Sequence, residues 1–318
     1  MQDHSQQHVS VMLDRCIELL TPAINASKNP VVVDATLGLG GHTEALLTKF
    51  PQLTVIGIDR DEIALERATT RLAHFGDRFR SSHAIFDQIE SVVHQYGFET
   101  IDGALFDLGV SSIQLDEANR GFSYSQDAPL DMRMDRSRGI TAAEIVNTYA
   151  PGKLVQILRS YGEEKFATRI VENIVKTRSI APMNSTTQLA ALVKESIPAA
   201  TRRTGGNPAK RTFQALRIET NDELGAITRA LPLTLKLLRV GGRVVVLSFQ
   251  SLEDRIIKEL FVEVSTSKSP RNLPIELPEF AAKFSILTRS SETPTEAELA
   301  HNPRSASVRL RAIEKVAA

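Results

Sequence analysis

Three short apolar runs early in the chain each end on an aspartate: Val31-Val32-Val33-Asp34, Thr54-Val55-Ile56-Gly57-Ile58-Asp59 and Ile101-Asp102-Gly103-Ala104-Leu105-Phe106-Asp107. Nearly continuous β-branched and apolar character marks strands buried on both faces, the habit of a parallel sheet. Stretches with helical spacing lie between them, over 43–50 and 61–75, and a weaker extended run follows over 79–84. This alternation predicts a doubly wound parallel sheet with right-handed crossovers. Ligands of such α/β sheets bind beyond the carboxyl ends of the strands, which is where the three aspartates stand.

After Leu115 the rhythm stops. From 119 to about 208 the chain carries helical patterns and almost no strand signal. Thr141-x-x-Glu144 and Ser185-x-x-Gln188 have the form of capping boxes that open helices. Apolar spacing over 154–161, 166–175 and 189–197 suits helices packed on one face. A long helix is expected over 213–238, and Gly241-Gly242 turns into the run Arg243-Val244-Val245-Val246-Leu247-Ser248-Phe249. The runs 284–288 and 307–313 fit a closing antiparallel pair, and Glu163-Glu164 and Glu253-Asp254 fit helix starts, where the macrodipole favours carboxylates. The organisation expected is a sheet domain over 1–118 and 211–318 interrupted by an all-helical insertion over 119–210.

Composition narrows the function classes. The 38 basic and 38 acidic residues balance, so contact with nucleic acid would have to come from local basic patches. Cys16 is the single cysteine, which excludes an internal disulfide and a multi-cysteine metal site. The seven histidines show no metal-ligand pairing, so no metal is expected. The polar N-terminus lacks a signal-peptide layout, and no apolar run has membrane-spanning length. These features lead us to expect a soluble cytoplasmic protein without a membrane partner.

The first glycine loop, Thr36-Leu37-Gly38-Leu39-Gly40-Gly41-His42-Thr43, departs from the dinucleotide fingerprint: Thr43 stands where the third glycine belongs. Asp59 lies 21 residues after Gly38, at the end of the second strand. A carboxylate there can accept hydrogen bonds from both hydroxyls of a ribose, which nicotinamide dinucleotides and S-adenosylmethionine share. Strand-end aspartates can also simply cap turns. Their coincidence with the glycine loop favours a ligand site.

Several blocks together resemble the bacterial small-subunit (16S) rRNA (cytosine-N4)-methyltransferase H family. They are Thr36-x-Gly38-x-Gly40-Gly41-His42, Gly57-Ile58-Asp59-Arg60-Asp61, Asp107-Leu-Gly-Val-Ser-Ser-x-Gln114-Leu-Asp116 and Arg120-Gly-Phe-Ser-Tyr124. Leu130-Asp131-Met132-Arg133-Met134-Asp135, Tyr161-Gly162-Glu163-Glu164, Arg211-Thr-Phe-Gln-Ala-Leu-Arg217 and Ser251-Leu252-Glu253-Asp254-Arg255 extend the likeness from about His8 to Arg311. The resemblance implies a class I S-adenosylmethionine-dependent methyltransferase, a Rossmann-like doubly wound sheet with a helical insertion that recognises RNA. It implies S-adenosyl-L-methionine as methyl donor and methylation of the exocyclic N4 of one cytidine of 16S rRNA near the ribosomal P site, in the small subunit. By motif, Gly40, Gly41 and His42 would hold the methionine end of the cofactor and Asp59 its ribose. Phe86 would lie along the adenine, although its place after the third strand suits a core residue equally, and Asp107 and Gln114 would complete the pocket.

Cytosine N4 is a poor nucleophile because its lone pair is delocalised into the ring. Acceptors for its hydrogens would favour the pyramidal nitrogen formed on attack; Asp107, Ser111 and Ser112 are the candidates. A base must be unstacked to enter such a pocket, and Phe122 and Tyr124 are candidate stacking platforms, or else packing residues of the insertion. Arg202, Arg203, Lys210, Arg211 and Arg217 fall in a stretch free of acids, loosened by Gly205-Gly206, that suits phosphate contact. Asp131-Met132-Arg133-Met134-Asp135 suits buried ion pairs. Departures from the family pattern are Gln250 and Asn207, where histidine is usual, and Ala306, where arginine is frequent. The alternatives are a DNA or small-molecule amino-methyltransferase, or a ribosome-assembly factor that keeps the fold without turnover. Asp107-Leu108-Gly109-Val110 in place of an Asp/Ser-Pro-Pro-aromatic loop counts against DNA.

Overall fold

The computed structural model describes residues 10–110, 114, 117–199, 207–270 and 280–318. They divide into two compact units, one comprising the chain up to Gly109 together with Leu224–Ala318, the other Val110–Glu223.

The first unit is built on a seven-stranded sheet in the order β3-β2-β1-β4-β5-β7-β6. Its strands are β1 (Val31–Asp34), β2 (Thr54–Asp59), β3 (Phe79–His83), β4 (Ile101–Asp107), β5 (Leu238–Ser248), β6 (Phe284–Ile286) and β7 (Arg309–Lys315). Strands β1 to β5 run parallel, with Val33 opposite Ile56 and Ala104, and Phe106 opposite Val246. β7 is antiparallel to both β5 and β6. This is the class I methyltransferase topology, and the order of winding reverses between β1 and β4. The expected closing pair is present, with β7 inserted between β5 and β6 rather than added outside them.

The period of two along each strand sorts the core. Val31, Val33, Ile56, Ile58, Ala104, Phe106, Val244 and Val246 pack on one face. They meet α4 (Ile89–Gln95), α10 (Glu223–Leu237) and α11 (Ser251–Ser265) through residues such as Val93, Ile227 and Ile257. Val32, Val55, Leu105, Val245 and Leu247 pack on the other face with Leu20 and Ile24 of α1 (Leu13–Asn25) and Leu46 and Leu47 of α2 (Gly41–Lys49). Burial on both faces explains why these strands read as unbroken apolar runs. The unit also holds α3 (Glu62–Leu72) and α12 (Glu296–His301). No helix among the described residues is long and apolar enough to cross a membrane.

The second unit contains α5 (Ala142–Thr148), α6 (Pro151–Gly162), α7 (Ala167–Arg178), α8 (Thr186–Ser196) and α9 (Lys210–Asn221). Thr141 and Glu144 form the expected reciprocal box: Glu144 N–H donates to Thr141 Oγ1 at 3.1 Å and Thr141 N–H to Glu144 Oε2 at 2.7 Å. Ser185 caps α8 through Gln188 N–H. Apolar residues at helical spacing, among them Ile145, Leu158, Ile170, Ile174, Leu189, Val193 and Phe213, form its core. Within the 130–135 block, Met132 and Met134 are buried and the Asp131 carboxylate pairs with Arg133 at 2.7 Å.

Three expectations change. The single helix over 213–238 is two helices, because Asp222 takes the left-handed conformation (φ 47°) and ends α9. α9 then stays in the helical unit. A Cβ on Gly162, the last residue of α6, would lie 2.6 Å from the Arg211 carbonyl oxygen, so α6 and α9 meet backbone to backbone. The helical unit therefore runs to Glu223, beyond the 119–210 span drawn from the sequence. Glu163 is no helix start: it ends α6 at φ 49°, and only Glu164, accepting from Phe166 N–H at 2.9 Å, sits ahead of α7.

Candidate functional site

The site lies at the carboxyl edge of the sheet in the first unit, where β1, β2, β4 and β5 end. Gly38 (φ 53°) and Gly40 (φ 78°) take conformations that other residues reach only with strain. A Cβ on Gly40 would come within 2.8 Å of Leu72 Cδ1. The loop is thereby packed tightly on α3, and α2 begins at Gly41, immediately after Gly40.

Asp59 closes this loop from below. Its Oδ2 accepts from Gly38 N–H at 2.7 Å and its Oδ1 from Asp61 N–H at 2.8 Å. Each oxygen thus spends one lone pair on the backbone and retains another for a ligand hydroxyl. Burial pushes the Asp59 carboxyl up to about 6 against the pull of these two bonds. Asp34 accepts from Thr43 Oγ1 at 2.7 Å, and burial raises it likewise to about 6. Thr43, at the position of the missing third glycine, therefore has a positive role as partner of Asp34.

Asp107 ends β4. Its N–H donates to Thr36 Oγ1 at 2.6 Å, which ties the ends of β1 and β4 together. Burial raises its carboxyl to about 6, opposed by His42, whose Nδ1 is 3.9 Å from Oδ2. His42 Nε2 lies 3.0 Å from the Val11 carbonyl. A carbonyl can only accept, so Nε2 carries a proton, and Nδ1 is the ring nitrogen turned towards Asp107. Asp107 Oδ1 is buried and has no hydrogen-bond partner among the described residues. Three carboxyls raised into the same range at one sheet edge mark a functional site.

Phe86 follows β3, half-buried. Its ring meets Phe106 edge-on at 5.8 Å, and the Arg60 guanidinium sits 5.7 Å from its centroid. After β5, Phe249 N–H and Gln250 N–H both donate to Glu253 Oε2, at 2.8 and 3.1 Å. Glu253 and Asp254 occupy the first turn of α11 as expected, and Asp254 is held by Arg309 and Arg311 at 3.0 and 2.7 Å.

In the helical unit, Gln114 is buried. Phe122 is only 8% exposed and belongs to that unit's core, so its ring is committed to packing rather than free as a platform. Tyr124 is half-buried, edge-on to Phe213 at 5.6 Å. Lys210 is exposed; Arg211 is exposed and donates to the Glu163 carbonyl, while Arg217 is paired with Glu223 at 2.9 Å. Ser111, Ser112, Arg202 and Arg203 lie outside the described residues. Asp34, Thr36 and Thr43 were absent from the sequence-derived site set, although two of them flank its glycine motif and one ends a strand.

A glycine turn with close backbone approach, an acid with spare acceptor capacity and an aromatic ring after the third strand fit an adenosyl cofactor. The sequence matches the MraW methylase family over residues 5–316. It is 55% identical over 312 residues to the ribosomal RNA small subunit methyltransferase H of Salinispora tropica, spanning 97% of this chain and 84% of that protein. The protein of the same description from Streptomyces avermitilis is 52% identical over 310 residues, with 98% and 97% covered. That from Mycolicibacterium smegmatis is 54% identical over 318 residues, with 99% and 85% covered.

Proposed function

The chain belongs to the MraW methylase family, and from that premise we propose that it transfers a methyl group from S-adenosylmethionine to the exocyclic N4 of one cytidine of 16S rRNA in the small ribosomal subunit, near the P site. The observation that carries this reading is identity above 50%, over almost the whole chain, to proteins described as ribosomal RNA small subunit methyltransferase H.

S-adenosylmethionine, when bound, supplies a methyl group on a sulfonium sulfur that needs no acid or base to be activated. What remains for the protein is positioning, worth about 7–11 kcal/mol of a barrier in favourable cases, and the fate of one proton. The turn at Gly38, Gly40 and Gly41 with His42 would hold the amino-acid end of the donor, Asp59 would accept from its ribose hydroxyls, and Phe86 with Arg60 would flank its base. Asp107 suits the acceptor role for the amino group: Oδ1 has no donor among the described residues, and a carboxyl of about 6 is ionised at pH 7.5 yet basic enough to take the proton that the methylated nitrogen sheds. Tyr124, Lys210 and Arg211, with Arg202 and Arg203, are the candidates for contact with RNA.

Labelled S-adenosylmethionine incubated with small subunits lacking the modification, followed by nucleoside mass spectrometry, tests the reading, with free rRNA and an Asp107→Ala variant alongside. N4-methylcytidine from the wild type and its loss from the variant are expected. Cofactor binding without transfer to subunits or RNA would refute the rRNA assignment.

A further inference from the structure

In the sheet unit, a second buried acceptor lacks a donor besides Asp107 Oδ1: the side-chain oxygen Oε1 of Gln250 has no hydrogen-bond partner among the described residues. Burying an acceptor without a donor is unfavourable, and native structures keep few such groups. Two of them lie at the ends of adjacent strands. β4 and β5 run parallel with Asp107 opposite Leu247, so Gln250 follows three residues beyond that register. The loops that leave the two strands touch: a Cβ on Gly109 would be 3.1 Å from the Phe249 ring. Gln250 is also held in place. Its own N–H and that of Phe249 are gathered by the buried Glu253 carboxylate, which fixes the turn from which the carboxamide projects.

A carboxylate oxygen and a carboxamide oxygen differ in one respect that matters for amine methylation. Both accept hydrogen bonds, but only the carboxylate is basic enough to take a proton. A primary amino group that becomes a monomethylamino group loses one hydrogen and keeps the other. The methyl–sulfur bond breaks as the nitrogen–methyl bond forms, the sulfonium becomes a thioether, and one N–H proton leaves the nitrogen.

We propose that Gln250 touches the substrate: its Oε1 accepts from the amino hydrogen that the product retains, while Asp107 Oδ1 accepts the hydrogen that is released. Together the two oxygens fix the plane of the amino group so that its lone-pair face meets the incoming methyl. The proposal rests on the amino-methyl transfer reading above and adds a specificity determinant for an NH2-bearing base, one that would leave a base with a carbonyl at that position facing two acceptors.

The test uses full-length protein, small subunits lacking the modification, and S-adenosylhomocysteine as the binding probe. Gln250→Met keeps length and removes the acceptor. We expect kcat to fall about 10–100-fold, with KM for subunits and S-adenosylhomocysteine affinity within about threefold of wild type. Gln250→His offers a ring lone pair only when neutral. The ratio of its rate to that of wild type should fall as pH drops through about 6.5, and taking the ratio cancels the titration of Asp107. A Gln250→Met enzyme turning over at the wild-type rate, or a loss confined to KM, would overturn the proposal. If Gln250→Met does not fold, a pH-independent ratio for Gln250→His overturns it alone. Failure of the wild type to methylate subunits strikes the function reading itself, an outcome separate from wild-type transfer that is indifferent to residue 250.

Discussion

Asp34→Asn isolates the stability that this site sacrifices. Asp34 is 2% exposed, and burial raises its carboxyl from an ordinary 3.8 to about 6. The folded chain therefore holds that proton more tightly than the unfolded chain does. The associated stability is fully present below about pH 3.8 and is lost as pH rises towards 6. At about 1.4 kcal/mol per pH unit, the ionised Asp34 costs about 3 kcal/mol above pH 6 and about 1 kcal/mol at pH 4.5. Asparagine keeps the shape and can still accept from Thr43 Oγ1, while its amide meets Thr36 N–H less well than the carboxylate does at 3.4 Å. That geometric loss does not change with pH, so it cancels when two pH values are compared. Relative to wild type, Asp34→Asn should gain about 2 kcal/mol more at pH 8 than at pH 4.5. Because Asp34 also raises Asp59 and Asp107 by repulsion, the measured gain should lie on the high side. Paired thermal melts of the two proteins at the two pH values give the number, a few degrees of differential shift in Tm. An equal effect at both pH values, or a variant that loses more at pH 8, would refute the claim that desolvation of the carboxylate dominates here.

Gly40→Ala forces a left-handed φ on a residue with a Cβ and drives that atom against Leu72; we expect a loss of about 1–3 kcal/mol with S-adenosylhomocysteine affinity at least tenfold weaker by calorimetry. Asn221→Ala strands the buried Met134 N–H and removes the donor to the Met132 carbonyl, bonds of 2.8 Å each. It should destabilise the helical unit by about 2–4 kcal/mol, read from its unfolding in urea. Lys210→Glu, at an exposed position, should weaken binding to subunits and flatten its dependence on salt by about one phosphate contact while cofactor affinity is unchanged.

What the sequence made legible is what local patterns encode. The bounds of β4, the Thr141–Glu144 box and the three strand-end aspartates follow from periodicity and from residue types that admit few readings. The break at Asp222 did not, because an aspartate can enter the left-handed region without the glycine that would announce it. Glu163 misled for the same reason. The insertion of β7 between β5 and β6 depends on pairing between distant segments, which no local window contains. Phe122 follows the Asp107 motif closely in sequence yet is buried in the helical core. That Asp107 Oδ1 and Gln250 Oε1 find no partner among the described residues is a property of what surrounds them, and no residue type signals it.

The strand order also dictates a timetable for the nascent chain. β4 ends at Asp107 and β5 begins at Leu238, yet they are neighbours, and β5 must wait again for β7 at Arg309–Lys315. At the usual pace of synthesis, about 5–20 residues per second, roughly 7 to 26 seconds separate the emergence of the first pair. Through that interval β4 presents an unpaired edge of a strand that is buried along nearly its whole length in the finished sheet, while the contiguous helical unit has everything it needs to close. The enzyme is thus born with its insertion finished and its catalytic sheet half built. A chaperone that shields exposed strand edges should matter more to its yield than one that assists helix packing, and a chain arrested before β7 should be cleared by proteases rather than retained in a partly active form.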